Sequence, residues 1–512
     1  MARPEGFDRS PVAVLAVAVP LGFYAASICA GPASWDTGEM QVAPYVLGIP
    51  HPTGFPLFVL AGWLFSHVIA VSTIAWRMNF FSACAVAATA GLIYQTARAV
   101  GATRAGALFA TFVFAAGKVV WDKAYLVDVH ALAMLCTAGM IYALVRYLDS
   151  HDERFLYAGA LASGLGLAVH PNEIWTIPAV AFAALAVSYV SGRTVLVTAV
   201  CVLGPLLFYA YEPLRSLSVA AAHLDPVQTL PWPADQRPLS VVWDTNQTRT
   251  LGGLRAQLLA AQTNPAQTLG GIFAVTRYPS YVAFWWNYAA IEFGAVALGA
   301  AAIGAIVVFA RNRRAALFLL VAGFAAVPTA VVYADREADI ARYFLASFVV
   351  VAICAAFLPS VGVLAPRLRI LGPVLAAGLL WTAWQLEDQN RYHLLARTGA
   401  GSQDVIDLAD QTVPPHSIVL TSWIDGTSLA YGQDIEHRFA DRIVIVRGPN
   451  GFEPTIVTWS RIRPVYVFAD WVIDGELKSM PPGWVSEARY VGLDHHLYRL
   501  CADERACARS LR

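Results

Sequence analysis

Long apolar segments alternate with short charged ones as far as about residue 387. A helix that crosses a bilayer needs about 20 predominantly apolar residues. The apolar segments near that length predict about eleven spanning helices. They are residues 11–30, 78–97, 105–121, 130–148, 155–170, 173–190, 194–212, 284–310, 315–333, 343–364 and 370–386.

The basic residues between these segments indicate their orientation, because cytoplasmic loops carry an excess of Lys and Arg. If the segments alternate in direction, one side holds Arg98, Arg104, Arg146, Arg154, Arg193, Arg311, Arg313, Arg314, Arg367 and Arg369. Arg3 and Arg9 join that side only if a further apolar segment, 54–71, does not cross. We therefore expect a cytoplasmic N-terminus, and we interpret 54–71 as a juxtamembrane or re-entrant helix on the outer face.

The chain changes character after residue 387. Short β-branched runs appear there, separated by helix-like stretches such as Asp404–Gln411. The runs are Ser417–Thr421, Arg442–Val446 and Pro464–Phe468. Strands that alternate with helices are typical of a small α/β domain with a partly parallel sheet. The pattern thus predicts an all-α polytopic membrane domain over 1–387 and an extracytoplasmic α/β domain over 388–512.

The composition supports this division. Hydrophobic residues make up 57% of the chain and charged residues 14%, whereas soluble domains carry about 25% charged residues. The formal net charge is zero, so charge gives no reason to expect a nucleic-acid partner. We expect an integral protein of a bacterial inner membrane that contacts membrane lipids. Cys501 and Cys507 lie in the outer tail, where they could form a disulfide or remain free thiols.

Side chains that could take part in catalysis or substrate binding gather on the predicted outer side. That side holds a long first loop, 31–75, a second long loop, 212–281, and the shorter stretches 120–129 and 334–342. Acids, histidines and arginines at the outer ends of helices favour a site at the outer membrane interface. The cytoplasmic loops are short and mostly basic.

The first loop is the most informative stretch. Asp36 and Glu39 are three residues apart, so both carboxylates lie on one face if Asp36 caps a short helix. Such a pair can activate a hydroxyl or hold a divalent cation, although a capping box with solvated acids is an equal alternative. His51 stands between Pro50 and Pro52 in what should be extended backbone.

Other outer residues are candidates for substrate binding. Asp128 and His130 begin an apolar segment, but a spacing of two should point them in different directions on a helix. The remaining candidates are His170, Arg215, Arg336 and Arg342. Each has a structural alternative: a capping role for the histidine, lipid headgroups for the first arginine, and a solvated ion-pair turn for the other two.

The first loop resembles a known family. Trp35-Asp36-Thr37-Gly38-Glu39, followed by Leu47-Gly48-Ile49-Pro50-His51-Pro52-Thr53-Gly54-Phe55-Pro56-Leu57, is similar to a bacterial membrane family of formerly unknown function. That family resembles the eukaryotic transmembrane protein O-mannosyltransferases of the C-type glycosyltransferase superfamily. Supporting stretches are Ala75–Asn79, Trp121–Leu132, His170–Asn172, Pro213–Ser216 and Leu420–Asp425. In Asp128–Leu132, aspartate and histidine replace the glutamate and tyrosine that the family usually shows.

The resemblance implies a mechanism. Such enzymes take a sugar from a polyprenyl-phosphate donor at the outer leaflet and pass it to an acceptor hydroxyl with inversion at the anomeric carbon. Asp36 matches the family's first-loop acid and is the expected general base, with Glu39 orienting it, tuning it or helping to hold a cation. The leaving phosphate needs positive charge or hydrogen-bond donors. No cofactor is implied with certainty, although a divalent cation is possible.

Two other classes of function compete with this one. A transporter or flippase for a lipid-linked sugar typically has inverted repeats and polar residues near the midplane. This sequence has no convincing internal repeat, and its polar residues lie at outer helix ends. The second alternative is a binding scaffold, but that function would give the clustered loop acids no role. The resemblance leaves open which sugar is transferred and whether the acceptor is protein, lipid or glycan.

The orientation can be tested by labelling. Single cysteines at positions 74 and 101 should react with impermeant reagents from the outside and the inside, respectively, because only the second follows a basic helix end. The reverse pattern would place the first-loop acids in the cytoplasm.

Overall fold

The computed structural model is mostly helical. It describes residues 7–187, 190–230, 240–259, 270–271, 273–332, 340–357, 371–397, 401–446, 459–460, 463–469, 477 and 489–500. The α-helices are Pro11–Ser27, Trp35–Val46, Pro56–Val68, Ile74–Ala99, Arg104–Ala115, Lys118–Tyr125, Val129–Ser150, Glu153–Val169, Ile177–Leu185, Gly192–Leu203, Tyr211–Ala221, Leu251–Leu258, Tyr278–Arg311, Arg313–Phe324, Val327–Val332, Leu345–Ala355, Leu371–Arg397, Ser402–Thr412 and Trp423–Asp434.

Within the described residues, five helices are long and apolar enough to cross a membrane. A sixth is possible if the bent pair Arg104–Ala115 and Lys118–Tyr125 counts as one span. The larger number expected from the apolar segments therefore stays a prediction. The helix Pro56–Val68 has 13 residues and is only about 20 Å long, too short for a hydrocarbon core of about 30 Å. Its length fits the interpretation of 54–71 as a non-spanning segment.

The chain divides into two compact units, and each is built from separate parts of the sequence. The helical unit comprises Met1–Ile28, Asn79–Tyr209 and Gln262–Gln389. The loop–sheet unit comprises Cys29–Met78, Ala210–Ala261 and Asn390–Arg512. This second unit is larger than the predicted C-terminal domain because the two long loops fold together with it.

In the helical unit, a buried carboxylate next to a break in one helix caps the start of another helix. Tyr278–Arg311 is interrupted at Gly294, whose φ of 65° favours glycine. Just before this break, Glu292 accepts a hydrogen bond of 2.8 Å from Val119 N. That nitrogen belongs to the first turn of Lys118–Tyr125, where backbone N–H groups have no partner inside the helix. Glu292 thus satisfies the start of a helix that follows a sharp bend.

The loop–sheet unit contains a five-stranded sheet. Its strands are β1 Ile418–Thr421, β2 Ile443–Val446, β3 Val465–Ala469, β4 Arg489–Gly492 and β5 His495–Leu500, in the order β2-β1-β3-β5-β4. β1 pairs in parallel with both β2 and β3, while β5 pairs antiparallel with β3 and β4. The prediction of a small, partly parallel C-terminal sheet is confirmed. The strands β4 and β5 were not expected.

Close helix packing joins the first loop to this sheet domain. We call Trp35–Val46 the loop helix and Trp423–Asp434 the tail helix. A Cβ at Gly38 of the loop helix would lie 2.9 Å from Thr427 Oγ1 of the tail helix and 2.3 Å from Ala33 O. Only glycine allows this approach, so the side chain of Thr427 packs directly against the backbone of the loop helix.

Replacement of Gly38 by alanine should lower stability. The added methyl group must displace backbone as well as a side chain, and such overpacking costs about 1–3 kcal/mol. Thermal unfolding of the detergent-solubilised protein should show the loss for Gly38→Ala. Gly31→Ala is the matched control, because a Cβ at Gly31 meets nothing within 4 Å. Equal melting temperatures for the two variants would contradict the packing argument.

Candidate active site

The loop helix presents the first-loop acids differently from what their spacing predicts. Ser34, and not Asp36, occupies the N-cap position in extended backbone. Asp36 lies in the first turn, where a carboxylate interacts favourably with the helix dipole, and it is exposed. Glu39 is fully buried one turn later. The two carboxylates therefore face different surroundings and have different partners.

Glu39 forms a pair with His51. Its Oε1 accepts a hydrogen bond of 2.7 Å from the backbone N–H of His51, and its Oε2 contacts Nδ1 of the same residue. Burial raises the pKa of Glu39 above its ordinary value, and the neighbouring imidazole acts against that rise. Glu39 therefore holds His51 and the proline-rich turn around it, and its expected roles of orienting or tuning Asp36 or helping to hold a cation stay predictions.

Asp36 is bonded by a residue of the C-terminal segment. Trp423 Nε1 donates a hydrogen bond of 3.0 Å to Asp36 Oδ1. The Trp423 ring also meets the His51 ring edge to face, with 5.9 Å between centroids. The sequence analysis did not assign Trp423 a role, although it lies in Leu420–Asp425, one of the stretches that carry the family resemblance.

Arg215 supports the far end of the loop helix. Its Nε and Nη2 donate to the carbonyl oxygens of Leu47 and Val46 at 2.6 and 3.0 Å. Its guanidinium also lies 5.9 Å from the centre of the Trp243 ring. A cation at a helix C-terminus satisfies carbonyl groups that have no partner inside the helix. The structure therefore places the expected phosphate-binding arginine on the backbone of the loop helix.

A buried acid that the sequence analysis passed over lies beneath the turn after His51. Gly54 has a φ of 82°, and a Cβ there would lie 2.0 Å from Glu212 Oε1. Glu212 is fully buried, and neither of its carboxyl oxygens has a hydrogen-bond partner among the described residues. Gln257 Nε2 bonds Pro50 O at 2.9 Å on the same turn. Gly54 is required both for its backbone conformation and for this close contact.

Asp128 and His130 come together in the helical unit. Asp128 is the N-cap of Val129–Ser150, so its side chain folds back over the first turn and accepts from His130 N. Its Oδ1 lies 2.9 Å from His130 Nδ1, and its Oδ2 accepts from Lys123. The expectation that these residues point in different directions is wrong, because it assumed that both lie within the helix.

His130 also faces a small polar cavity. The cavity measures about 30 Å³ and is lined by residues that include His130, Thr137, Glu173 and Arg342. His130 is buried, and its Nε2 has no hydrogen-bond partner among the described residues. The ring of His170 lies 4.6 Å away, centroid to centroid. Glu173 is a further acid that the sequence analysis missed, and it accepts from Thr137.

His170 has a capping role, as its structural alternative predicted. It ends the helix Glu153–Val169, and its Nδ1 accepts a hydrogen bond of 3.1 Å from Asn172 N. Arg336, the remaining predicted arginine, lies outside the described residues. Within the described part of the chain, no group of three or more His, Cys, Asp or Glu residues is placed to hold a metal ion.

A solved structure shares the fold. The crystal structure of ArnT from Cupriavidus metallidurans bound to undecaprenyl phosphate matches 97% of this chain and 99% of its own, with a TM-score of 0.57 and 10% sequence identity. The chain therefore has the fold of that protein, and its long apolar helices together with this fold indicate an integral membrane protein.

The sequence comparisons point to a narrower relationship. The family described as the protein O-mannosyl-transferase TMEM260 N-terminal domain matches residues 36–192. Protein O-mannosyl-transferase tmem260 of Dictyostelium discoideum is 26% identical over 189 residues, which are 34% of this chain and 23% of that protein. TMEM260 of Mus musculus is 27% identical over 136 residues, 26% of this chain and 19% of that protein. The chain thus matches about a fifth of the length of these relatives, and the predicted resemblance is confirmed.

The pairing of Glu39 with His51 can be tested through stability. Glu39→Ala removes the acceptor of the contacts from the backbone N–H and the ring of His51, and a lost hydrogen bond costs about 0.5–1.5 kcal/mol. Glu39→Gln keeps an oxygen that can accept from the backbone N–H. Thermal unfolding should therefore show a larger loss for Glu39→Ala than for Glu39→Gln. Equal losses would mean that the hydrogen bonds to His51 contribute nothing to stability.

Proposed function

We propose that this protein is an inverting membrane glycosyltransferase. It transfers a sugar from a polyprenyl-phosphate donor to an acceptor hydroxyl on the extracytoplasmic face. The observation that carries this proposal is the Asp36 carboxylate, which is exposed at the start of the loop helix and bonded through Oδ1 by Trp423. It begins the stretch that matches the protein O-mannosyl-transferase family.

The chemistry requires one general base. The acceptor hydroxyl gives its proton to Asp36 as its oxygen forms a bond to the anomeric carbon. The bond between that carbon and the phosphate oxygen breaks in the same displacement, and polyprenyl phosphate leaves with the electron pair. An exposed carboxylate suits this role, because it can reach an acceptor that arrives from water. Buried Glu39 has its oxygens on His51, so it shapes the loop while Asp36 does the proton transfer.

The helical unit contains a positively charged side chain and a histidine that could bind the leaving phosphate. Arg342 lines the same cavity as His130, whose Nε2 has no hydrogen-bond partner in the part of the chain that the structure describes. Asp128 holds the other nitrogen of His130, which fixes the orientation of the ring. We assign these residues to phosphate binding, because donors that are already in place stabilise a charge that develops in the transition state. Arg336 remains a further candidate for the same role.

The names of similar proteins support the choice of donor. ArnT was crystallised with undecaprenyl phosphate, which supports a polyprenyl carrier. The names of the sequence relatives favour mannose as the sugar and a protein as the acceptor. A panel of polyprenyl-phosphate hexoses and pentoses, offered to the purified protein with and without a chelator, tests the donor class. The chelator series also tests whether a divalent cation participates.

Replacement of Asp36 by asparagine should abolish transfer. Asparagine keeps the size of the side chain and can still accept from Trp423, so expression and thermal unfolding should stay near wild type. It cannot take the proton of the acceptor, and loss of a general base costs about 10²–10⁴-fold in rate. Transfer from the cognate donor measures the effect.

Asp149→Asn is the matched control, because Asp149 is an exposed acid at the end of another helix. It should transfer sugar at the wild-type rate. If Asp36→Asn also kept near-wild-type activity, the assignment of the base would be wrong, and Asp128 would be the next candidate.

A further inference from the structure

Trp423 contacts the two functional side chains of the first loop at once. It donates from Nε1 to Asp36 Oδ1 at 3.0 Å, and the bond does not engage Oδ2. Its ring stands edge to face on His51, with an interplanar angle of 88°. A residue 387 positions further along the chain thus touches both the proposed base and the histidine that Glu39 holds.

Trp423 is itself fixed by the tail helix that it begins. Ser422 caps this helix and accepts a hydrogen bond of 3.3 Å from Asp425 N. Asp425 is buried, and its Oδ2 lies 2.9 Å from Nε2 of His495 in β5. Nδ1 of His495 faces the carbonyl oxygen of Leu493 at 2.6 Å. Both ring nitrogens of His495 therefore face oxygen atoms, one on the tail helix and one in the turn before β5, so the histidine ties the start of the tail helix to the sheet.

The tail helix also fits tightly between its neighbours. A Cβ at Gly426 would lie 2.4 Å from Val446 Cγ2 of β2. On the side of the first loop, Gly38 allows Thr427 to approach. The first turn of the tail helix therefore cannot shift without disturbing the sheet, the loop helix or the buried contact between Asp425 and His495.

We propose that Trp423 is the positioning residue for Asp36. By holding Oδ1, it turns Oδ2 toward the place where the acceptor hydroxyl arrives, so the C-terminal segment contributes to the active site. This inference rests on the proposed function, in which Asp36 is the base. It assigns to Trp423 an effect on the rate of the chemical step and none on the affinity for the donor.

The test is Trp423→Phe in full-length protein, with a polyprenyl-phosphate sugar as donor. Phenylalanine keeps an aromatic ring beside His51 but removes the N–H donor. We expect kcat to fall about 10- to 100-fold, since misplacing a reacting group by about 1 Å can cost about 10²-fold. KM for the donor and the melting temperature should stay near wild type. Trp63→Phe is the matched control, because Trp63 lies in the same unit on the helix Pro56–Val68, and it should retain wild-type kcat.

A double variant separates positioning from a general effect on folding. In an Asp36→Asn background, Trp423→Phe should cause no further loss, because the group that it orients no longer takes a proton. If Trp423→Phe is poorly folded, 3-benzothienylalanine at position 423 replaces it, since sulfur takes the place of N–H in a ring of the same shape. Loss of kcat with that isostere supports the inference.

The outcomes distinguish the two proposals. If Asp36→Asn is inactive while the variants at position 423 keep wild-type kcat, the positioning role is overturned and the proposed base stands. An additive loss in the double variant also overturns positioning. If Asp36→Asn itself remains active, the proposed base fails, whatever the variants at position 423 do.

Discussion

The conformation of the first loop depends on a carboxyl group that has no contact with water. Glu39 is fully buried, and a buried charge is very costly unless it is paired and hydrogen-bonded. The backbone and ring of His51 provide that pairing, so the turn between the two residues has one low-energy arrangement. This arrangement also fixes the position of the exposed Asp36, which lies one helical turn earlier.

The supports of the loop helix come from distant parts of the sequence. Arg215 binds the carbonyl groups at its C-terminal end, and Trp423 bonds Asp36 at its N-terminal end. Between them, the absence of a side chain at Gly38 lets Thr427 of the tail helix pack against the backbone of the loop helix. An exposed carboxylate in a loop is ordinarily mobile. Here both ends and the middle of its helix are held by other segments, which gives the proposed base a defined orientation without burying it.

The local sequence pattern predicted secondary structure correctly where the residues of an element are buried periodically or completely. The β-branched runs around 418–421, 443–446 and 465–469 are strands, each buried along nearly its whole length. β4 was missed because none of its residues is buried, and the tail helix was missed because apolar, polar and glycine residues are buried around its whole circumference.

The pattern also found the acids of the first loop but misjudged their partners. Spacing alone relates Asp36 to Glu39, whereas their actual partners, Trp423 and His51, are set by tertiary packing.

The separation of 387 residues between Asp36 and Trp423 has a consequence for biosynthesis. At about 5–20 residues per second, the ribosome needs about 20–80 s to proceed from the acid to its partner. During that interval the nascent chain can insert its helices into the bilayer, but the carboxylate has no donor to orient it. Under the proposed function, a chain that terminates before Trp423 therefore reaches the membrane without the residue that orients the base, and only chains translated past this residue have an oriented base.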